Sequence, residues 1–161
     1  MEISEQLYSA FQAQYNVELT NADFYQALSH QAEALTWEGF SKWLAKASGE
    51  ERDHAQAFRD FLIDRNRTPR QSARPEQKQI GEKPLDWMAL SLQAEQENTK
   101  RIYALYKLCM DSADYDACVF LHPYLTEQRV SERELVDWIQ QLKRSGSNAA
   151  DLQLDEKAGG A

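Results

Sequence analysis

The sequence predicts an all-α protein: four long helices in a bundle, with one long connection between the second and the third. Three observations carry this. Four prolines and six glycines in 161 residues leave long unpunctuated stretches, and three of the glycines lie beyond residue 145. Those stretches are rich in Ala, Leu, Gln and Glu, which are good helix formers. Within them apolar residues recur at spacings of three and four, the period of a helix with one buried face.

The first helix runs from about Ser4 to Glu33, with Leu7, Phe11, Glu18, Ala22 and Tyr25 on its stripe. A break at AEALTWEG follows, where Thr36 is available as an N-cap. The second helix continues to about Arg65 along Phe40, Leu44, Ala47, Glu51, His54, Phe58 and Phe61. Next comes NRTPRQSARPEQKQIGEKP, holding Pro69, Pro75, Gly81 and Pro84. Such a connection is unusually long for a bundle and reaches from one end to the other. Its basic residues read as a solvated surface.

The third helix spans about Leu85 to Met110, with Met88, Leu92, Glu95, Thr99, Ile102, Tyr106 and Cys109 in line. The fourth starts near Asp114 and ends near Arg144, its stripe formed by Leu121, Leu125, Gln128, Leu135, Trp138 and Leu142. Pro123 lies inside it and is expected to kink it near its start. After Gly146, SNAADLQLDEK reads as a short fifth helix before a Gly-rich end. The expected organisation is a bundle over residues 1–145 and a tail over 146–161. Two antiparallel pairs joined by one crossover is a known four-helix topology.

The formal net charge of −8 argues against a nucleic-acid partner and suits the attraction of cations. MEISEQLYSAFQ lacks the basic and apolar regions of a signal peptide, and no apolar run approaches membrane-spanning length. Cys109 and Cys118 have neither disulfide-framework nor zinc spacing. The expectation is a reduced, cytoplasmic protein without a membrane or nucleic-acid partner.

Each of the four stripes is interrupted near its middle: by Glu18, by Glu51 with His54, by Glu95 and by Gln128. Glu18 lies roughly 16 residues before the first turn and Glu51 about 14 after it, so at about 1.5 Å per residue their depths nearly match. Glu95 and Gln128 match about the second tight turn in the same way. One polar layer across the core follows. Buried carboxylates cost several kcal/mol unless neutralised, and these stripes carry no Lys or Arg at that depth. A pair of divalent cations would neutralise them, and oxygen ligands with few nitrogens suit hard metals. Di-iron carboxylate bundles in general take a Glu from each of two helices and Glu-x-x-His from each of the others. Here Glu51 and His54 form the one Glu-x-x-His, because Glu127 is followed three residues later by Val130. His30 reads as an outer-face residue and His122 as a neighbour of Pro123.

At this point the chain resembles a ferritin from Glu18 through the fourth helix, the crossover and the tail included. EERDHAQAF is similar to the second-helix motif of non-haem ferritins, and VELTNADFY places Glu18 and Tyr25 at the family's spacing of seven. LQAEQENTKRIYAL resembles the third-helix motif around Glu95, and YLTEQ puts Gln128 where animal-type ferroxidase centres also have a glutamine. The resemblance implies a ferritin-like four-helix bundle with a short C-terminal helix. It also implies a di-iron centre that oxidises Fe²⁺ with dioxygen or hydrogen peroxide and deposits Fe³⁺ mineral in a hollow shell, a homo-24-mer. One iron would be held by Glu18, Glu51 and His54, the other by Glu51, Glu95 and Gln128. Glu51 would bridge, and Tyr25 would act beside the centre as a hydrogen-bonding group and electron donor. By residues alone, Tyr25 also fits a core aromatic.

The sequence departs from the family in places. Val130 and Ser131 stand where many bacterial ferritins have glutamates of a third iron site. Val130 also removes the second Glu-x-x-His of bacterioferritins, and Met1, Met88 and Met110 all lie off the second helix, so no haem is expected. Cys118 and Leu121 occupy the positions of an acidic pair that lines three-fold channels in animal-type ferritins. Glu50 and Asp53 match residues that face the storage cavity, while Gln56 replaces a third. Two other readings stand beside storage: a non-storing di-iron peroxide reductase, and a metal-free helical protein whose polar layer sets helix register.

Overall fold

A computed structural model describes residues 2–161; Met1, one of the methionines considered above as a haem ligand, lies outside them. Among the described residues are α1 (Glu5–Ala34), α2 (Glu38–Asp64), α3 (Pro84–Asp111), α4 (Tyr115–Ser145) and α5 (Asn148–Gly159). The caps follow local chemistry. Ser4 accepts from Leu7 N at 3.2 Å, Asp114 from Ala117 N at 3.1 Å, and Ser147 from Ala150 N at 3.2 Å, each holding an amide left free at a helix start. Pro84 opens α3, where its missing N–H costs nothing.

One expectation fails here. Thr36 does not cap α2; the cap position is Trp37, with no side-chain hydrogen bond. Thr36 is used instead to end α1. It takes a left-handed conformation (φ 65°), so that Trp37 N reaches back to Ala32 O at 2.9 Å. Asn66 and Ala113 close α2 and α3 in the same way, with φ of 57° and 53°. The start of α2 is capped from a distance: Asp155 of α5 accepts from Phe40 N at 2.8 Å. That approach needs Gly39, whose added Cβ would lie 1.6 Å from the Asp155 carbonyl oxygen.

The short turns fold α1 against α2 and α3 against α4 as antiparallel pairs, and α1 also packs on α3. Residues 65–83, without regular structure, run back along α1. Tyr8 donates to Thr68 O at 2.8 Å, Asn16 accepts from Ser72 N at 2.7 Å, and Gln31 donates to Gly81 O at 3.3 Å. Two of the basic side chains expected to be merely solvated form ion pairs there, Arg67 with Glu5 and Arg74 with Asp23, both at 2.6 Å. Helix α4 continues through Pro123 without a break.

The core falls into two apolar clusters. One gathers Phe11, Phe58, Ile102 and Leu121; the other gathers Phe40, Leu44, Met88, Leu135 and Trp138. Between them lies the polar layer. Cys118 and Leu121, at channel-lining positions by resemblance, belong to the first cluster and are buried inside the subunit, so they line no channel. No described helix is long and apolar enough to cross a membrane.

Candidate metal centre

The layer is built from the middle of each long helix. α1 supplies Glu18 and, seven residues on, Tyr25; α2 supplies Glu51 and His54; α3 supplies Glu95 and α4 Gln128. Glu18, Glu51, Glu95, Tyr25 and Gln128 are buried, and His54 is half-buried. Glu18, Glu51 and His54 each bring one ligand atom within 4.8 Å of the others. His54 Nδ1 stands 3.5 Å from Glu51 Oε2 and 3.8 Å from Glu18 Oε2. Neither contact is a hydrogen bond, and both carboxylate oxygens are buried without a hydrogen-bond partner.

Glu95 is bound differently. Its Oε1 accepts from the Tyr25 hydroxyl at 2.5 Å and its Oε2 from Gln128 Nε2 at 3.0 Å. Gln128 Nε2 also lies 3.2 Å from Thr99 Oγ1, so the amide nitrogen is engaged and the amide oxygen is the atom it could offer a cation. A cavity of about 60 Å³ opens beside the cluster, lined by Tyr25, Trp43, Glu51, His54 and Glu95 among others, room for a few water-sized species.

The electrostatics show what the layer lacks. Burial would depress the basicity of His54, but Glu18 and Glu51 more than reverse this and push its pKa up to about 11. Burial alone would raise the pKa of Glu18, yet His54, Glu51 and Gln14 together outweigh it and lower it. Burial, helped by the adjacent Glu18, holds Glu51 well above the usual carboxylate range although His54 pulls the other way. Burial also raises Glu95. Protons therefore do here what a cation would do, and a bound cation would displace them. Two orphaned carboxyl oxygens beside an imidazole, in a buried layer, fit a hard divalent metal.

Sequence reasoning passed over several residues that hold these side chains in place. Gln14 donates to Glu18 Oε1 at 2.5 Å and to Asn98 Oδ1 at 2.8 Å, and both amides are buried. Glu127 lies 3.0 Å from His54 Nε2, and the Tyr124 ring packs edge-on against the imidazole with centroids 5.2 Å apart. The signal was present. The α1 stripe skips a turn between Phe11 and Glu18, and Gln14 fills that turn. Asn98 sits one turn beyond Glu95.

A carboxylate and histidine layer buried in an antiparallel four-helix bundle with one long crossover defines a ferritin-like metal protein. The comparisons agree. A family model described as a ferritin-like domain matches residues 8–145. The bacterial non-heme ferritin of Staphylococcus aureus (strain USA300) is 30% identical, over 99% of this chain and 96% of its own length. Its counterpart in Staphylococcus haemolyticus is 29% identical, over 96% and 93%. Among solved structures, an open pore ferritin from the archaeon Archaeoglobus fulgidus superposes with a TM-score of 0.95 at 28% identity, covering 99% of this chain and 98% of that one. A ferritin from the green alga Ulva pertusa gives 0.95 at 26% identity, over 100% and 87%. The chain belongs to the ferritin family, in its non-haem bacterial branch. It is an iron-storage protein whose glutamate and histidine cluster is suited to ferroxidase chemistry.

Proposed function

We propose that Glu18, Glu51 and His54 hold the first of two Fe²⁺ ions, and that Glu51, Glu95 and Gln128 hold the second. The observation that carries this is the pair of buried, unpartnered oxygens, Glu18 Oε2 and Glu51 Oε2, beside His54 Nδ1. The second position differs in kind. Each Glu95 oxygen already accepts one hydrogen bond, from Tyr25 or from Gln128, and Gln128 is a neutral ligand, so that ion binds more weakly and leaves more readily. Each Fe²⁺ gives up one electron, and dioxygen takes the two electrons and two protons to leave as hydrogen peroxide. Anionic ligands favour the ferric product over the ferrous substrate. Tyr25, on the second carboxylate, orients Glu95 and is placed to donate an electron.

In this reading about 24 copies close a hollow cytoplasmic shell that takes up Fe³⁺ as mineral, each subunit contributing a bundle over 1–145 with 146–161 appended. The buried free thiols of Cys109 and Cys118 suit a reducing compartment. Anaerobic loading with Fe²⁺ followed by oxygen should give a fast ferric absorbance phase that saturates at two irons per subunit. Native mass measurement should show a large closed assembly that retains many irons per chain. Monomers or dimers alone, with no retained mineral, would overturn storage.

A further inference from the structure

Glu18 presents its two oxygens to opposite surroundings. Oε2 faces His54 and Glu51 and has no hydrogen-bond partner. Oε1 faces away and accepts from Gln14 Nε2 at 2.5 Å, with Asn98 Nδ2 at 3.5 Å. Gln14 spends its second amide proton on Asn98 Oδ1 at 2.8 Å, which turns the Asn98 amino group towards Glu18. The two amides come from α1 and α3 and are only 4% and 3% exposed, so water does not compete for these bonds. Helix register would be satisfied by the Gln14–Asn98 bond alone. The structure instead aims amide donors from two helices at one oxygen of one carboxylate.

We propose that Gln14 and Asn98 are positioning residues that make Glu18 a one-oxygen ligand. This rests on the reading of Glu18 as a ligand of the first ion. The short bond from Gln14, backed by the longer one from Asn98, fixes the plane of the carboxylate and presents Oε2 to the metal. Chelation through both oxygens would have to displace one of these donors in a buried site. The first ion therefore keeps a coordination position open, which the shared carboxylate of Glu51 and an incoming oxidant require.

The test uses the full-length protein without oxygen, Co²⁺ as the probe, and the variants Gln14→Met and Asn98→Leu, which keep volume and remove the amide. Each should weaken the first Co²⁺ by about 10- to 100-fold, as loss of a group that orients a metal ligand does. The visible absorption per bound Co²⁺ should also fall, because a freed Oε1 lets Glu18 chelate and raises the coordination number. With Fe²⁺, the half-saturating concentration should rise while the maximal oxidation rate is nearly retained. If the unsubstituted chain binds Co²⁺ and both variants match it in affinity and spectrum, the positioning role fails, even where they unfold at lower temperature. If the unsubstituted chain binds no Co²⁺ at this layer, the ligand reading itself has failed. Should one variant not fold, the other carries the same readouts.

Discussion

The Tyr25 hydroxyl donates to Glu95 Oε1 at 2.5 Å, joining α1 to α3 across the centre of the bundle. Burial first, and then the neighbouring Glu95 charge, hold the phenol well above its ordinary pKa, so it remains a neutral donor at physiological pH. Removing that hydroxyl leaves a carboxylate oxygen buried without its donor. Tyr25→Phe should fold with an unchanged helical spectrum and lose about 1–3 kcal/mol of metal-free stability, the usual cost of an orphaned polar group. It should still bind Fe²⁺ but show altered oxidation kinetics and no tyrosyl radical signal. Identical kinetics and an identical radical would make Tyr25 a core aromatic only.

Glu51→Ala relieves repulsion within the carboxylate cluster, since Glu18 and Glu95 both oppose ionisation of Glu51. The cavity left behind acts in the opposite direction, by about 1–3 kcal/mol. Metal-free stability should therefore change little or rise, as followed by thermal unfolding in chelator. The fast phase at two Fe²⁺ per subunit should vanish, because one carboxylate is asked to serve both ions. A mutant that keeps this phase would remove Glu51 as the bridge.

Arg65 and Asp114 pair at 2.6 Å with side chains only 7% and 10% exposed, tying the end of α2 to the start of α4. Asp114→Ala removes both that partner and the α4 cap, and should cost about 3–5 kcal/mol in chemical denaturation, typical of breaking a buried ion pair. The hydrogen bond from Arg65 lowers the Asp114 pKa below its ordinary value. A carboxyl whose folded pKa is depressed contributes fully above its unfolded value of about 3.9, and the contribution disappears as pH falls through the folded value. The stability gap between the parent and Asp114→Ala should accordingly be constant near neutrality and shrink only in strong acid. A gap independent of pH down to acid unfolding would contradict the pairing.

Gly39→Ala places a Cβ 1.6 Å from the Asp155 carbonyl oxygen, a backbone atom that cannot swing aside. Helix α5 must lift away, and Phe40 N then loses the Asp155 carboxylate. Hydrogen exchange should accelerate over Asn148–Gly159 and the first turn of α2, while the distant metal layer keeps its Co²⁺ affinity. Unchanged protection in α5 would refute the close contact.

Helical periodicity by itself determined the four long helices, the crossover and the depth of the polar layer, because a 3.6-residue repeat converts spacing into face and count into height. Glu18, Glu51, His54, Glu95 and Gln128 were legible for that reason: each interrupts an otherwise apolar stripe. The tertiary structure decided what those side chains do to one another. Whether Glu95 meets Tyr25 or Glu18 meets Gln14 depends on rotamers and on distances between helices far apart in sequence, which no stripe encodes. Local propensity favours Thr36 as a cap and disfavours a β-branched residue in the left-handed conformation it adopts, and the contact of Asp155 with Phe40 N supplies the capping that Thr36 does not. The resemblance set Cys118 and Leu121 at channel positions, but both are buried in the first apolar cluster. A sequence specifies which face of a helix is buried; only the packed neighbours determine which atoms on that face are satisfied and which are left for a metal.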